Sequence, residues 1–216
     1  MSDALAFPPS AAASSFSALP GWFGKLPGMG DFAHRRLPES FRSVWDQWLQ
    51  RGLARLKDRH ADWMSHYLQA PVWCFALGPG VAGEGAWIGV MMPSVDGVGR
   101  YFPITLAVEF DASVGETLRD DALRGVLLWW ERGTQAALEG LEGDMDALGF
   151  DAMLQRVFVA ADDREVREGG VALLALPGPG GSLWLADPGA DEGVRMVVAG
   201  LPLDAQFEAL FLGGGE

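Results

Sequence analysis

Two glycine-rich segments hold most of the residues in this chain that could take part in chemistry. Residues 21–32 place an opposed lysine and aspartate among four glycines and a proline, between a predicted short strand and a predicted helix. Residues 93–103 repeat that chemistry between two predicted strands, with an aspartate and an arginine beside two glycines. Glycine-rich turns let backbone N–H groups approach a ligand or another backbone closely, so both segments are candidate sites. The charged and hydroxyl-bearing residues of the two segments that could act in such a site are Lys25, Asp31, Ser94, Asp96 and Arg100.

Nucleotide binding is the first chemistry that the glycines suggest. Residues 28–33 formally match the G-x-G-x-x-A pattern of dinucleotide-binding proteins. Asp31 would repel a pyrophosphate there, and Pro38 soon interrupts the helix that should follow. The pair Gly24-Lys25 lacks the earlier glycine and the following serine or threonine of a phosphate-binding loop. The pattern therefore argues against dinucleotide or triphosphate binding.

The sequence also lacks the patterns that would indicate a hydrolase or a metal site. A nucleophilic serine needs a base and a strained turn such as G-x-S-x-G, whereas Ser94 follows Met-Pro and precedes Val-Asp. A trio of His34, Asp96 and Ser94 can be imagined, but no spacing selects it. The three histidines form no i, i+4 pair and there is one cysteine, so we predict no metal site, no cofactor and no catalytic set.

Two interpretations of the loop charges follow. In the first, the charges pair across the two loops and hold an edge of the sheet together, since an inward charge normally persists only when it is paired. In the second, they line a pocket for a segment of a partner protein. We favour the first. The residues predicted to form the site, as structural or partner-binding positions, are Gly24, Lys25, Pro27, Gly30, Asp31, Arg35, Pro93, Ser94, Asp96, Gly99 and Arg100.

A second candidate surface is a basic stripe. Arg51, Arg55 and Arg59 recur every four residues and therefore share one face of a predicted helix. Such a stripe suits an acidic protein partner, and the alternative is a solvated helix face. Over its 216 residues the chain carries a net charge of −13, which argues against nucleic acid or an anionic membrane as the partner. The lone Cys74, within an apolar run, predicts a core residue and a reducing compartment.

The elements that position these loops follow from the hydrophobic pattern. A helix is predicted from Pro38, with apolar residues at the three-to-four spacing of one face. This predicted stripe consists of Phe41, Val44, Trp45, Trp48, Leu49, Leu53 and Leu56. Strands are predicted at residues 72–77, 86–92 and 101–109, and their mostly apolar sequences predict burial on both sheet faces. A glycine-rich break at residues 78–85 makes two strands a better interpretation of residues 72–92 than a membrane span.

The C-terminal half adds further elements. A long helix is predicted over residues 118–138, capped by Thr117 and with Leu138 in its buried stripe. Residues 171–176 and 182–186 are predicted to form a hairpin across a Pro/Gly turn. The predicted fold is a single α/β domain over residues 21–212, a layered sandwich whose central mixed or largely antiparallel sheet of about six strands is covered by helices. We expect residues 1–20 to be a disordered Ala/Ser/Pro leader and residues 213–216 a flexible tail.

The glycine-rich segments also carry a family resemblance. Together with weaker matches, they resemble the TagF (ImpM) family of bacterial type VI secretion accessory proteins over about residues 21–212. The motifs that carry it are Gly24-Lys25-Leu26-Pro27 through Gly30-Asp31-Phe32, Trp45-Asp46-x-Trp48-Leu49, Pro93-Ser94-Val95-Asp96 through Gly99-Arg100-Tyr101-Phe102-Pro103, Ser182-Leu183-Trp184 and Gly200-Leu201-Pro202.

The resemblance implies a function that the residues alone do not. It implies a cytoplasmic, non-enzymatic α/β protein that represses type VI secretion after translation. Its implied partner is a protein, either the forkhead-associated scaffold or a component at the base of the membrane complex. The alternative is an enzyme that binds a small molecule or phosphoanion at the two glycine-rich loops.

Overall fold

A computed structural model describes residues 19–110, 117–159, 174–188 and 194–212. The described strands are β1 (Gly21–Gly24), β2 (Ala33–Arg35), β3 (Trp73–Leu77), β4 (Ala86–Met92), β5 (Ile104–Phe110), β6 (Thr117–Leu118), β7 (Leu174–Ala175), β8 (Gly181–Ala186) and β9 (Arg195–Ala199). The described helices are α1 (Glu39–Arg59), α2 (Trp63–Gln69), α3 (Asp120–Glu142), α4 (Ala147–Val159) and α5 (Ala205–Leu212).

Seven of the described strands form one sheet. Their order is β2-β1-β5-β4-β3-β8-β9, and each neighbouring pair runs antiparallel. The predicted antiparallel central sheet is confirmed. It is one strand wider than expected because β2, only three residues long, pairs back onto β1. The first glycine-rich segment thus connects two strands, not a strand and a helix.

Helices cover both faces of this sheet, as the apolar strands predict. Alternate residues of β3 point to opposite faces: Phe75 packs in the core beneath α1, α2 and α5, whereas Cys74 packs in the core beneath α3 and α4. Cys74 is 2% exposed and is thus the core residue that its neighbours predict, and this burial raises the pKa of its thiol to about 12. The layered sandwich is confirmed.

Helix α1 is the main anchor of the aromatic core. It buries the residues of the predicted stripe except Val44, which is 39% exposed. Trp45 stacks on Trp184 of β8 at 5.9 Å between ring centroids, and its indole N–H donates to the Thr105 hydroxyl at 2.9 Å. These contacts fix α1 over β5 and β8 and so hold the sheet that carries the candidate site.

Three predictions for the C-terminal half are wrong. Thr117 does not cap α3, because it pairs with Ala175 in a two-stranded sheet and the helix begins at Asp120 without a side-chain cap. The predicted hairpin does not form, because both edges of β8 are occupied by β3 and β9. Leu138 is 42% exposed instead of buried. Residues 171–173 of the predicted hairpin lie outside the described residues.

The apolar run at residues 72–92 folds into β3 and β4, as predicted. Among the described residues, no helix combines the length and the apolar character that crossing a bilayer requires. Most of the predicted leader, residues 1–18, and the whole predicted tail lie outside the described residues.

Candidate functional site

The two glycine-rich loops meet at one end of the sheet. The first loop, residues 25–32, follows β1, and the second loop, residues 93–103, precedes β5. Because β1 and β5 are antiparallel neighbours, the end of one strand lies beside the start of the other. The Gly97 N–H of the second loop donates to the Met29 carbonyl of the first at 2.8 Å. We call Gly24 together with these two loops the loop junction.

A buried carboxylate lies at the centre of the loop junction. The side chain of Asp96 is fully buried, and that of Lys25, its ion-pair partner, is 4% exposed. One carboxylate oxygen accepts the Lys25 ammonium and the Arg100 Nε–H, the latter at 2.8 Å. The other accepts the backbone N–H groups of Val98 at 3.1 Å and Arg100 at 2.8 Å. Both oxygens are therefore committed to holding the loops.

These contacts decide the charge state of Asp96. Burial would raise the pKa of its carboxyl, but the hydrogen bonds from Lys25 and from the side chain and backbone of Arg100 hold that pKa well below its usual range. Asp96 is thus an ionised acceptor at neutral pH. It has no proton to give to a substrate, and its basicity is used within the junction.

An aromatic cluster covers the other side of the lysine. The Lys25 ammonium lies 4.7 Å from the centroid of the Phe32 ring, a cation–π contact. Phe32 stacks on Phe23 at 5.9 Å and meets Phe102 edge to face at 4.8 Å. Phe32 was not among the predicted site residues, although it directly follows Gly30-Asp31. An aromatic residue next to a glycine-flanked charge was the signal that could have found it.

Ser94 ties the second loop to two other elements. Its hydroxyl donates to the Lys25 carbonyl at 2.6 Å. Its backbone N–H donates to the Tyr67 hydroxyl of α2, and that hydroxyl donates to the Ser94 carbonyl, both at 3.0 Å. Burial raises the pKa of Tyr67, so the phenol stays protonated and can make both bonds. Among the described residues, the Ser94 hydroxyl meets no histidine or carboxylate that could activate it.

Two glycines set the backbone of the loop junction. Gly24 has a φ of +144°, and a Cβ there would lie 2.2 Å from the Pro103 carbonyl oxygen. Gly99 has a φ of +83°, and its N–H donates to the Asp96 carbonyl at 2.9 Å. Both conformations disfavour any residue with a side chain. The two glycines therefore adopt the backbone conformations that allow the two loops to contact each other.

The outer part of the junction is more open. Arg100 donates to the Gly30 carbonyl, and its guanidinium lies 4.0 Å from the carboxylate of Asp31. The Asp31 side chain is 81% exposed, so water screens this contact. The structure thus brings together all the predicted site residues of the two loops, with Asp31 at the surface and Pro27 and Pro93 lining a neighbouring groove.

Arg35 lies outside the junction. Its guanidinium is 3.7 Å from the carboxylate of Asp151 on α4, which also accepts from Arg36 and, at 3.3 Å, from the indole N–H of Trp22. The hydrogen bond from Arg36 is the main cause that lowers the pKa of Asp151. This cluster ties β1 and the end of β2 to α4. The interpretation that Arg35 belongs with the other loop charges does not match its position.

Two of the three arginines of the basic stripe form ion pairs within this chain. Arg55 pairs with Asp204, and Arg59 lies 2.6 Å from Glu208 of α5. Arg51 is exposed and makes no ion pair with a described residue. The stripe therefore ties α1 to α5 over two of its three positions. Within the described ranges, no three His, Cys, Asp or Glu residues are grouped so as to hold a metal ion.

The lowered pKa of Asp96 makes the stability of the junction depend on pH. An unfolded aspartate has a pKa of about 3.9, so above that value Asp96 contributes its full stabilisation. As the pH falls below about 4, Asp96 of the unfolded chain takes up a proton while Asp96 of the folded protein stays ionised. The contribution of Asp96 to the free energy of unfolding is therefore lost. We expect urea unfolding between about pH 5 and pH 2 to lose free energy more steeply in the wild type than in Asp96→Asn. Parallel pH profiles would contradict this assignment.

Comparisons with known proteins bear on the family and the fold. A family profile described as the TagF N-terminal domain, type VI secretion system-associated, matches residues 21–157. Among solved structures, the crystal structure of PA0076 from Pseudomonas aeruginosa PAO1 is similar, with a TM-score of 0.70 and 31% sequence identity over 91% of this chain and 96% of that chain. No curated protein matches the chain. The matched residues include both glycine-rich loops and the strands that carry them.

Proposed function

The chain belongs to the TagF family of type VI secretion-associated proteins, and from that premise we propose that it is a non-enzymatic accessory protein of type VI secretion. It acts in the cytoplasm and represses secretion after translation. It does so by binding a protein, either a component of the apparatus or its forkhead-associated scaffold. The single cysteine, which fits a reducing compartment, supports the cytoplasmic location.

The observation that carries this proposal is how the loop junction uses its charges. The buried Lys25–Asp96 pair and the hydrogen bonds of Ser94 fasten the two loops to each other. The groups that could have done chemistry are thereby committed to structure. A rigid junction of this kind supports binding, because a preorganised surface loses little conformational entropy when a partner docks.

The junction also presents a surface suited to a protein partner. Val98, at the tip of the second loop, is 68% exposed, and Phe32 is 42% exposed. The charged side chains of Asp31 and Arg100 are exposed beside them. Apolar residues surrounded by charges are the usual composition of a transient interface, in which the apolar contact supplies affinity and the charges supply orientation.

The proposal is tested by secretion from a deletion strain. We expect deletion of the gene to raise the amount of type VI substrate in the medium, and the wild-type gene to restore repression. Val98→Glu should fail to restore it, because a charge at the loop tip disfavours an apolar contact. Leu203→Glu is the control, since Leu203 is 62% exposed but precedes α5, outside the junction. If deletion changes nothing while the apparatus is expressed, the proposal is wrong.

A phosphoanion-binding enzyme makes a different prediction. A ligand that binds only the folded protein raises its midpoint of thermal unfolding. Because Asp96 pairs with both Lys25 and Arg100, and Asp31 lies 4.0 Å from Arg100, two carboxylates already balance the two cations. We therefore expect nucleotides, sugar phosphates and inorganic phosphate to leave the midpoint unchanged. The measurement is a thermal-shift screen at millimolar ligand. A phosphoester that raises the midpoint in the wild type but not in Arg100→Gln would favour the enzyme instead.

A further inference from the structure

An apolar groove of about 690 Å³ opens beside the loop junction. Its floor comes from the end of β4 and the start of the second loop. One wall is the end of α2 and the segment that follows it, and the other wall is the C-terminal end of α3. The apolar side chains that define the floor and walls are Leu68, Pro71, Met92, Val95, Leu138 and Leu141.

The walls expose leucine to water. Leu68 is 55% exposed on one wall, and Leu138 is 42% exposed on the other. Exposed leucine carbons cost about 25 cal/mol per Å² relative to a buried position, so two exposed leucines in the lining of one groove favour an apolar occupant. Leu138 lies off the buried stripe of α3, so its exposed carbons remain available to an occupant of the groove.

The rim of the groove is acidic and lacks a matching cation. Asp144 is an exposed residue of the groove lining, and Glu142 is exposed just before it in the last turn of α3, outside the lining itself. Neither makes an ion pair with a described residue. The last turn of α3 contains no basic residue, although the C-terminus of a helix favours cations. Arg156 reaches this helix end but is paired with Glu139. No lysine or arginine is among the described residues that line the groove.

We propose that this groove binds an apolar segment of another protein whose apolar side chains are flanked by lysine or arginine. The apolar side chains lie between Leu68 and Leu138, and the flanking cations meet Glu142, Asp144 and the negative end of the α3 dipole. This inference rests on the proposed function, since it names the chemistry of the protein partner and the surface that receives it.

Charge argues against the other occupants. Residues 1–20 of this chain contain no lysine or arginine, so they cannot supply the cations that the rim favours. A second copy of the chain brings a net charge of −13 to a surface of the same sign. A partner segment with positive charges would pair with the carboxylates of the rim and would bury the exposed leucines.

The test uses a synthetic probe and the full-length chain. The probe is a fluorescein-labelled amphipathic peptide of leucine and lysine, and its matched counterpart has glutamate in place of each lysine. Fluorescence anisotropy measures the affinity of each peptide. We expect the lysine peptide to bind at least about tenfold more tightly, with an affinity that falls as salt rises.

Two double variants separate the groove from the rim. Leu68→Ser with Leu138→Ser should weaken binding of the lysine peptide by about tenfold through lost apolar contact. Glu142→Lys with Asp144→Lys should weaken it similarly and flatten its salt dependence. The controls are Val159→Ser, 70% exposed at the far end of α4, and Glu131→Lys, exposed earlier on α3. All six positions are exposed, so circular dichroism and thermal unfolding should show intact folds.

Three results would overturn the inference. The two peptides could bind equally, the groove and rim variants could bind like the controls, or the leucine substitutions could convert a dimer to a monomer in sedimentation, which would make a second copy the occupant. Secretion separates this inference from the proposed function. If deletion releases secretion but the groove variants still repress it fully, the groove is wrong and the accessory function stands. If deletion has no effect, the accessory function itself fails.

Discussion

Replacing Asp96 with asparagine lowers the free energy of unfolding by about 3–5 kcal/mol, the usual loss when one partner of a buried ion pair is removed. The variant leaves the Lys25 ammonium buried without an opposite charge beside it. It also weakens the bond from the Arg100 side chain, although the asparagine oxygen can still accept the backbone N–H groups of Val98 and Arg100. Urea unfolding at neutral pH measures the loss.

Two further variants show whether that loss comes from the buried charge. Asp31→Asn removes an exposed carboxylate from the same junction and should change stability by less than about 0.5 kcal/mol. Lys25→Met combined with Asp96→Asn removes both charges while keeping most of the lysine volume, so it should recover a large part of the loss. A double variant as unstable as the sum of its singles would mean that the pair does not couple the loops.

Replacing Gly24 with alanine lowers the free energy of unfolding by about 2–4 kcal/mol, through backbone strain and overpacking. The φ of +144° is one that residues with side chains rarely adopt, and the new Cβ would lie 2.2 Å from the Pro103 carbonyl oxygen. Pro103 immediately precedes β5, so relief requires β1 and β5 to separate where the loops meet. Thermal and urea unfolding both report this loss.

Gly30→Ala is the matched control for the backbone effect. Gly30 lies in the first loop, which directly follows Gly24, and a Cβ there meets nothing within 4 Å. Alanine should therefore be tolerated and can add slightly to stability by restricting the unfolded chain. Equal losses at the two positions would show that the first loop tolerates no change at all, and the specific role of Gly24 would be wrong.

The features of the fold that could be predicted are those that depend on periodicity within a single helix or strand. The stripe of α1 and the nearly continuous apolar runs of β3, β4 and β5 depend on side chains within one element, so they predicted a sheet with helices on both faces. Pairing of strands was less predictable. β7 and β8 are close in sequence, yet β8 pairs with β3 and β9. Proximity along the chain does not reveal which sheet edges other strands already occupy.

The candidate site was predictable in composition and only partly in contacts. Glycine-rich turns with opposite charges indicated that the two loops interact, and Lys25, Asp96 and Arg100 do lie together. The partner of Arg35 was not predictable, because a long side chain can reach several carboxylates and Asp151 lies on a helix remote in sequence. Tyr67 was missed because its helical spacing indicates only a buried face, not the two hydrogen bonds of its hydroxyl.

The central claim is that the charges of the loop junction hold a binding surface and perform no chemistry. The most direct measurement is type VI substrate released by a deletion strain that carries the Lys25→Met and Asp96→Asn double variant, with its fold verified by thermal unfolding. We expect secretion to stay as low as with the wild-type gene, because the Ser94 hydroxyl and the Gly97 N–H still join the two loops when both charges are removed together. Secretion as high as in the deletion strain, from a folded and normally abundant double variant, would contradict it.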